Sequence, residues 1–402
     1  MTSTTTSPSA VKAAMSRRTV DISGPASSPF RTLLRAVEKQ PDVVTLGRGE
    51  PDIPTPAHII EATKRALDDG RTTYSNPAGL PQLRAAIAEK LGRENGVQYD
   101  ADEVIVTAGA QEAIAVSMQT LLEPGDEVLL AAPYYGGYLT NITLAGGVPV
   151  PVPTFESEGF ELDPDRLEAM ITKRSKVVAL VSPSNPTGSM LSQEALLRIA
   201  EIVDRHDLVV VSDELYEKNV YVDEPAISFA SLPGMRERTI TINGFSKAHS
   251  MTGFRVGYMA APRDFCEAAF EARHAISIAS STPSQFAALA ALEGPQDHIA
   301  TMRTEYIARQ AVMGPALSKL GVTFAQPKGA FFFFGNVSQL PMTAFEFSLA
   351  AVERFGVLFF PGTMYGKQGE GYARISFLAP IPTLETGLDR FGEAYRWASN
   401  AG

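Results

Sequence analysis

The most restrictive feature of this 402-residue sequence is a series of short apolar runs that alternate with helical patterns. The runs cover residues 103–107, 127–131, 176–181 and 208–212. Such runs are typical of strands that are buried on both faces. Leucine and isoleucine recur at helical spacing over residues 80–91, and helices are also expected over 111–122 and 192–204. Repeated βα units of this kind predict an α/β fold in which helices flank a mostly parallel central sheet.

The C-terminal part of the chain has a different pattern. A long helical stretch from about residue 287 is followed by apolar runs at 330–334, 357–360 and 373–377. We therefore expect a large domain at 55–286 and a smaller α/β domain formed by 287–402 together with 31–54. Residues 1–30 are rich in Ser, Thr, Pro and Ala, which favours a flexible N-terminal arm.

Charge and cysteine content exclude several classes of function. The formal net charge of −10 argues against binding to nucleic acid or to an anionic membrane surface. No apolar run reaches the roughly 18 residues that a membrane-spanning helix needs. Cys266 is the single cysteine, so no intrachain disulfide forms, and a cytoplasmic location is expected. No metal site is predicted.

Residues 243–258 (Asn-Gly-Phe-Ser-Lys-Ala-His-Ser-Met-Thr-Gly-Phe-Arg-Val-Gly-Tyr) combine two groups that one cofactor type requires. Lys247 follows the β-rich run 239–243, and Arg255 lies eight residues later. An amine that forms an imine and a fixed guanidinium that binds phosphate make pyridoxal 5'-phosphate (PLP) the first candidate. A solvated surface lysine is the ordinary alternative, and for Lys247 taken alone it would be preferred.

Three further segments favour the cofactor. Asn185 lies in a turn after a buried strand, where an amide can donate to a phenolate oxygen. Asp213 ends an apolar run, where a carboxylate needs a partner such as a pyridinium nitrogen, and Tyr216 follows within reach of the ring. The turn 107–111 offers backbone amides to an anion. A plain loop, an N-cap aspartate and an ordinary α/β turn are the respective alternatives, but the four signals together are strong.

A set of motifs in one order extends this pattern along the chain. The chain resembles the class I/II aminotransferases of PLP fold type I, the aspartate-aminotransferase-like family, over about residues 31–396. The resemblance rests on 49–52 (Gly-Glu-Pro-Asp), 74–80 (Tyr-Ser-Asn-Pro-Ala-Gly-Leu), 133–135 (Pro-Tyr-Tyr), 184–188 (Ser-Asn-Pro-Thr-Gly), 212–216 (Ser-Asp-Glu-Leu-Tyr), 246–247 (Ser-Lys), 253–257 (Gly-Phe-Arg-Val-Gly), 361–363 (Pro-Gly-Thr) and 374–376 (Arg-Ile-Ser).

The resemblance implies a role for each cofactor-binding residue. Lys247 would be the Schiff-base lysine, which also moves the proton between the substrate Cα and the cofactor's C4' carbon. Asp213 would pair with the pyridinium. The remaining implied contacts are ring-oxygen donors (Asn185, Tyr216), a stacking ring (Tyr135) and phosphate ligands (the Ala110 and Gln111 backbone, Ser246, Arg255).

The resemblance also implies a substrate site and an assembly. Arg374 would grip the substrate α-carboxylate bidentately, helped by the Gly49 backbone and Asn185, with Tyr135 lining the same site. Tyr74 would reach the phosphate of the neighbouring subunit's cofactor, which implies a homodimer with shared sites.

Three positions depart from the family pattern or extend it. Gly244 stands where a hydroxyl residue is common, so one phosphate contact is expected to be absent. Gln111 stands where some aspartate-type members carry a lysine, which argues against aspartate specificity. As a hypothesis, Arg48 contacts an acidic substrate side chain, and the alternative, an outward ion pair with Glu50 or another carboxylate, is favoured at least as much.

The activity that these residues predict is ping-pong transfer of an amino group between an α-amino acid and a 2-oxo acid. A PLP-dependent C–S β-lyase of the same fold is the first alternative, because the same carbanion can expel a β-leaving group. A regulatory sensor built on this fold is a remote alternative, since the segment before Phe30 is short for a DNA-binding module.

Overall fold

A computed structural model describes residues 15–19 and 29–400. The expected N-terminal arm, residues 1–30, lies for the most part outside the described residues. From residue 29 onward the α-helices are α1 (Pro29–Glu38), α2 (Ala57–Asp68), α3 (Pro81–Lys90), α4 (Ala110–Leu121), α5 (Gly136–Ala145), α6 (Pro164–Ala169), α7 (Gln193–Arg205), α8 (Arg263–Ser277), α9 (Thr282–Glu293), α10 (Asp297–Lys319), α11 (Ala344–Phe355) and α12 (Ile381–Ser399).

The strands over the same range are β1 (Val44–Thr45), β2 (Val104–Thr107), β3 (Glu127–Ala132), β4 (Val148–Pro153), β5 (Ser175–Val181), β6 (Val209–Asp213), β7 (Thr239–Gly244), β8 (Gly257–Ala260), β9 (Phe332–Asn336), β10 (Val357–Leu358), β11 (Phe360–Pro361) and β12 (Tyr372–Ser376). Shorter helical turns occupy Leu91–Asn95, Ala101–Glu103, Glu156–Glu158, Phe229–Ser231, Arg236–Arg238, Thr252–Phe254, Gly362–Tyr365 and Lys367–Gly369.

A seven-stranded sheet has the order β2-β8-β7-β6-β5-β3-β4. Strand β8 runs antiparallel to both of its neighbours, and the other pairings are parallel. The four apolar runs became β2, β3, β5 and β6, each within one residue of its predicted ends. The prediction of a mostly parallel sheet flanked by helices is confirmed.

Both faces of this sheet are buried, as continuous apolar strands require. On β5, Val177 and Ala179 pack with Ile114 of α4, whereas Val178 and Leu180 pack on the opposite face with α7. The predicted cap of α7 is also present, because the Ser192 hydroxyl accepts a hydrogen bond of 3.2 Å from the amide of Ala195. Alternate residues of one strand thus fix helices on both faces.

Two small sheets contain the remaining strands. Strands β11, β12 and β9 form an antiparallel sheet, and β1 pairs in parallel with β10. The single strand predicted over 357–360 is wrong, because Leu358 pairs with Thr45 whereas Phe360 pairs with Arg374. The strand predicted at 330–334 begins two residues later, because Ala330 has φ 58° and its amide donates to the carbonyl of Asn219.

The C-terminal elements surround their own apolar cluster. Four consecutive phenylalanines, 331–334, are each at most 1% exposed, and most of them pack with residues of α10, α11 and α12. Leu46, from the N-terminal segment, is buried in the same cluster. Within residues 15–19 and 29–400 no helix is both long and apolar enough to span a bilayer.

Candidate active site

The chemically important side chains lie where strands of the seven-stranded sheet end. Asp213 is the last residue of β6, Asn185 lies beyond the end of β5, and Lys247 lies beyond the end of β7. Ligands bind in α/β folds at the carboxyl edge of a parallel sheet, because the strand ends and the following loops converge there. A cavity of about 350 Å³ opens at this edge and is lined by all three residues.

Asp213 is buried, and neutral donors bond to both of its carboxylate oxygens. The amide of Leu215 donates to Oδ1 over 3.2 Å, and the hydroxyl of Tyr138 donates to Oδ2 over 3.1 Å. Burial raises the pKa of Asp213 to about 6, while these two hydrogen bonds and the charge of Lys247 oppose the rise. An ionised carboxylate at this position would gain from a cationic partner inside the cavity.

Lys247 is partly buried and points its amine at the loop that follows β1. Its Nζ donates a hydrogen bond of 2.6 Å to the carbonyl oxygen of Gly49. Burial lowers the pKa of Lys247 to about 8, and the positive charge of Arg374 lowers it further, against the opposing effects of Glu50 and Asp213. A lysine with this pKa is partly neutral near physiological pH and is therefore a competent nucleophile.

The turn between β2 and α4 forms an anion site. The first backbone amides of α4, at Ala110 and Gln111, have no carbonyl partner within the helix, and the helix dipole favours negative charge there. The guanidinium of Arg255 lies beside them, donating from Nη2 to the carbonyl of Ala108 over 3.4 Å and from Nη1 to Thr252 over 2.9 Å. A phosphate would meet both groups.

Two glycines permit the close approach of these elements. Gly109 has φ 80°, and a Cβ there would lie 2.7 Å from Nη2 of Arg255. A Cβ on Gly257 would lie 2.8 Å from both the amide nitrogen of Ala110 and the carbonyl carbon of Gly109, which are backbone atoms. Strand β8 therefore supports the turn directly from behind.

Arg374 lies in β12, and its guanidinium enters the cavity from the smaller sheet. Its Nη1 donates to Oδ1 of Asn185 over 3.1 Å, and its Nη2 donates to the carbonyl of Gly47 over 2.9 Å. Its Nε is buried and has no hydrogen-bond partner in the described part of the chain. Because a buried donor normally finds an acceptor, this orphaned N–H indicates a ligand oxygen.

Aromatic rings surround that guanidinium. Its Cζ lies 4.1 Å from the ring centre of Phe332, 4.9 Å from Tyr365 and 5.4 Å from Phe360. The charge also contributes to the pKa values nearby: burial raises the pKa of Tyr365 to about 12, and Arg374 opposes this rise. The rings hold the guanidinium plane by packing and cation–π attraction, which suits planar, bidentate recognition of a carboxylate.

The remaining predicted residues of the cavity form its wall. The hydroxyl of Tyr135 donates to Oε1 of Gln111 over 3.1 Å, so these two side chains form one polar unit. Tyr216 is buried with its ring edge-on to Phe331, and Ser246 is buried beside Lys247. All four residues line the cavity.

The structure does not bring two predicted residues into this cavity. Tyr74 is 77% exposed and is not among the lining residues. Arg48 is exposed, and none of the ion pairs formed by residues 15–19 and 29–400 involves it. The alternative pairing of Arg48 with Glu50 is absent, because Glu50 accepts a hydrogen bond of 3.0 Å from the hydroxyl of Thr252 instead.

Sequence reasoning missed Tyr138, Thr252 and Glu50. Tyr138 is completely buried on α5, and its only sequence signal is a position three residues after Tyr135. Glu50 and Thr252 line the cavity beside Gly49 and Arg255, and both lie within motifs that were recognised for their neighbours. Among the described residues no group of three or more His, Cys, Asp or Glu is arranged to hold a metal ion.

The residues present fit pyridoxal 5'-phosphate. The unpaired amides of α4 with Arg255 suit a phosphate, the buried carboxylate of Asp213 suits a pyridinium, and Lys247 supplies an amine of lowered pKa. The orphaned Nε of Arg374 adds a site for a substrate oxygen. One cavity thus contains a matching group for the phosphate, for the pyridinium nitrogen and for the aldehyde of the cofactor.

Comparison with protein families gives one match that spans most of the chain. The family profile of aminotransferase class I and II matches residues 41–391. An aspartate aminotransferase from Pyrococcus abyssi is 41% identical over 386 residues, which cover 95% of this chain and 98% of the relative. An aromatic-amino-acid aminotransferase from Thermococcus litoralis is 38% identical, over 90% of this chain and 94% of the relative.

A solved structure agrees with these matches. The aromatic aminotransferase from Pyrococcus horikoshii superposes with a TM-score of 0.87 at 40% identity, covering 91% of this chain and 99% of that structure. The fold is therefore that of the fold type I enzymes. These relatives all transfer amino groups, so the comparisons favour transfer and give no support to the β-lyase alternative.

Proposed function

Because the chain belongs to the class I and II aminotransferase family, we propose that Lys247 holds the cofactor covalently and acts as its proton carrier. The enzyme is a PLP-dependent aminotransferase, which moves an amino group between an α-amino acid and a 2-oxo acid. One observation carries the assignment of the site: Lys247, Asp213 and Arg374 converge with the N-terminus of α4 on a single cavity. Each of these groups has a separate task there.

The cofactor's phosphate is assigned to the backbone amides of Ala110 and Gln111, with Arg255 and the Ser246 hydroxyl. These amides lack helical partners, and the guanidinium beside them adds a full positive charge. Gly244 offers no hydroxyl to this group, so the phosphate has one fewer donor than is common in the family.

The cofactor ring is assigned to the wall between β3, β5 and β6. Asn185 and Tyr216 are the donors to the ring oxygen, and Tyr135 is the stacking ring. Asp213 is the partner of the pyridinium nitrogen, and the resulting pair of opposite charges would lower its pKa from the value to which burial raises it. Burial makes this pairing strong because little water competes for either charge.

When bound, pyridoxal 5'-phosphate supplies an aldehyde that condenses with amines and a ring that accepts the electron pair of the substrate Cα. Lys247 provides the amine that the substrate's amino group displaces. Once displaced, Nζ of Lys247 accepts the proton from Cα, and its lowered pKa suits a base that works near neutral pH. Gly49 supports this step, because its carbonyl oxygen accepts a hydrogen bond of 2.6 Å from Nζ and thereby orients the amine.

The substrate's α-carboxylate is assigned to Arg374. The guanidinium is fixed by Phe332, Phe360 and Tyr365 and retains an unpaired Nε. Asn185 and the Gly49 backbone complete the carboxylate site, with Tyr135 at its edge. Water released from this enclosed site would strengthen the charge pairing with the carboxylate.

Reduction with borohydride tests the covalent assignment. Protein incubated with the cofactor should gain the mass of the reduced adduct on the peptide that contains Lys247. Lys247→Arg is the matched control, because it keeps the charge but forms no such bond, and amine transfer should fall by several orders of magnitude. A full adduct on another lysine, with undiminished transfer by Lys247→Arg, would remove the assignment.

We propose further that the enzyme is a homodimer in which Tyr74 contributes to the partner's site. The exposed ring of Tyr74 lies outside the cavity of its own chain. The segment that carries it is held firmly, since the hydroxyl of Thr282 donates to the carbonyl of Thr73 over 2.7 Å. An exposed aromatic on a fixed segment is well suited to a site across an interface.

Mixing two inactive variants tests this sharing. A hybrid of Lys247→Ala with Tyr74→Ala contains one site that has an intact lysine and an intact partner tyrosine. Activity should therefore return to about a quarter of the wild-type value in an equilibrated mixture, with half of the dimers being hybrid. If Tyr74 serves its own chain, every site in the mixture is defective and no activity returns.

For Arg48 we propose contact with an acidic substrate side chain. Among the residues that the structure describes Arg48 forms no ion pair, and it precedes Gly49, whose carbonyl accepts the bond from Lys247. An Arg48→Ala variant should lose relative rate with acidic amino acids and keep it with neutral ones, whereas unchanged relative rates would contradict the proposal. Lys64→Ala, which alters an exposed cation on α2, is the control.

We also propose a two-domain organisation and a cytoplasmic location. Residues 55–286 contain the seven-stranded sheet, and 31–54 with 287–402 form the smaller domain around the C-terminal cluster. The packing of Leu46 with Phe347 and Phe391 supports the joining of the two distant segments.

The single, buried cysteine, Cys266, supports a reducing compartment and so the cytoplasmic location. Limited proteolysis and cell fractionation test these two proposals.

A further inference from the structure

Arg309 lies in the middle of α10 and is buried, with 3% of its surface exposed. Its guanidinium forms a bidentate pair with Asp52, with Nη1–Oδ1 at 2.7 Å and Nη2–Oδ2 at 3.0 Å. Nε donates to Glu305 over 3.0 Å, and the Tyr306 ring centre lies 5.2 Å from Cζ. A second bond from Nη1 reaches the carbonyl of Phe377 over 3.2 Å.

The partners of Arg309 belong to the two segments that build the substrate site. Asp52 lies in the loop after β1, three residues beyond Gly49, whose carbonyl accepts the bond from Lys247. Phe377 follows β12 and lies three residues beyond Arg374. One guanidinium thus connects the loop that contacts the lysine amine with the strand that carries the carboxylate-binding arginine.

The loop has other attachments besides the Asp52 pair. At its start Leu46 pairs with Ser376 and Leu358 through the backbone, and at its end the Thr55 hydroxyl donates to the carbonyl of Ser250 over 2.5 Å. Between these points Arg48 is exposed and a Cβ on Gly49 would touch nothing within 4 Å. The Gly47 carbonyl also accepts from Arg374 over 2.9 Å, and Glu50 accepts from Thr252 over 3.0 Å. Gly49 is therefore held between these bonds and the Asp52 pair, which joins the loop to α10.

A buried ion pair is a poor source of stability, because desolvation offsets most of the attraction and apolar residues of similar size often serve as well. Its geometry, however, is strict, because a bidentate guanidinium–carboxylate pair fixes both distance and plane. We infer that Arg309, through Asp52, is a positioning residue that sets the Gly49 carbonyl against Lys247 and aligns it with Arg374. This inference rests on the proposed function of that cavity.

Substrate affinity tests the inference. Asp52→Asn keeps the size of the side chain and removes its charge, and it should raise KM for an amino acid about tenfold and lower kcat several-fold, because the Gly49 carbonyl orients Nζ of Lys247. The dissociation constant of 3-phenylpropanoate, an unreactive carboxylate, should rise in parallel when measured by calorimetry. Cofactor affinity should stay within about twofold, since Asp52 does not touch the phosphate turn.

Glu127→Gln is the matched control. Glu127 is buried at the start of β3, away from the cavity, and it accepts two bonds from Arg174 at 2.7 and 3.1 Å. The control should lower the thermal midpoint without changing KM or the carboxylate affinity. If Asp52→Asn behaves in the same way, the pair is only structural and the inference is wrong.

Arg309→Lys provides a second variant should Asp52→Asn fail to fold. Lysine keeps the charge but cannot form the bidentate pair, so the same rise in KM and in the dissociation constant is expected. Wild-type values in this variant would overturn the positioning role. A wild-type enzyme without amine transfer would instead overturn the proposed function, and the calorimetric comparison would still decide the role of Arg309.

Discussion

The hydroxyl of Tyr138 donates a hydrogen bond of 3.1 Å to Oδ2 of Asp213, and both residues are buried. The second carboxylate oxygen accepts from the amide of Leu215. Two neutral donors thus favour the ionised form of a carboxyl group whose burial favours the protonated form. Tyr138 therefore contributes to the charge that the cofactor's ring nitrogen would meet.

Replacement of Tyr138 by phenylalanine should raise the pKa of Asp213, because the bond that favours the carboxylate is lost. A hydrogen bond to a charged group contributes about 1.5–3 kcal/mol, so kcat/KM should fall at least about tenfold. The acidic limb of the pH profile of kcat/KM should move to higher pH. Tyr134→Phe is the control, and an unshifted limb in Tyr138→Phe would contradict the prediction.

The amine of Lys247 should react with aldehydes more readily as pH rises through about 8 in protein freed of cofactor. Below that pH the amine is protonated, and above it the neutral nucleophile predominates. Arg374→Met removes a positive charge that lowers this pKa, so the midpoint should move upward. Labelling of Lys247 by an amine-specific reagent across a pH series, quantified by peptide mass, measures both midpoints.

Gly257→Ala should weaken cofactor binding. The added methyl group would overlap backbone atoms of Gly109 and Ala110 at 2.8 Å, and these atoms cannot move without displacing the phosphate amides. Overpacking costs about 1–3 kcal/mol, which corresponds to a dissociation constant raised roughly tenfold. Gly253→Ala is the control, since its Cβ would meet nothing within 4 Å, and equal affinities for the two variants would refute the prediction.

His249 should make the fold sensitive to acid. Burial, and then the neighbouring His298, lower the pKa of His249 from 6.5 to about 3. Between these values the unfolded chain takes up a proton that the folded chain does not, so the stabilisation is complete above pH 6.5 and is lost as pH falls toward 3. The groups that face it are His298, Lys218, Lys90 and Glu94.

His249→Gln lacks the titrating group, so its unfolding free energy should depend less steeply on pH between 6.5 and 4. The difference in slope approaches about 1.4 kcal/mol per pH unit. Denaturant midpoints of both proteins over this range measure it. His206→Gln, which alters a partly exposed histidine bonded to Glu168, is the control, and parallel slopes for wild type and His249→Gln would refute the prediction.

The seven-stranded sheet, and the convergence of most candidate site residues on one cavity, were predictable because their signals are local. Each of the four apolar runs of the seven-stranded sheet marked one strand, and Asn185, Asp213 and Lys247 each follow an apolar run. Parallel strands bring their carboxyl ends to one edge, so residues far apart in sequence were expected to meet. The amine, carboxylate and amide of these three side chains then indicated pyridoxal 5'-phosphate as the ligand that they can hold together.

The remaining features depend on partners that no local pattern specifies. Tyr138 and Asp213 are 75 residues apart, and Arg309 and Asp52 are 257 apart. One apolar run is divided between two sheets at Phe359. Leu358 before it pairs with β1, whereas Phe360 after it pairs with β12. Only tertiary packing decides which tyrosine faces the carboxylate and which arginine holds the loop.

The turn at the start of α4 has a practical consequence for handling the enzyme. Under the proposed assignment its affinity for phosphate would reside in backbone amides, Arg255 and the Ser246 hydroxyl, so it would discriminate poorly between phosphate esters and free oxyanions. Inorganic phosphate or sulfate in a purification buffer would therefore compete with pyridoxal 5'-phosphate and slow reconstitution. The same salts, at high concentration, would then offer a gentle way to strip the cofactor and prepare apoenzyme.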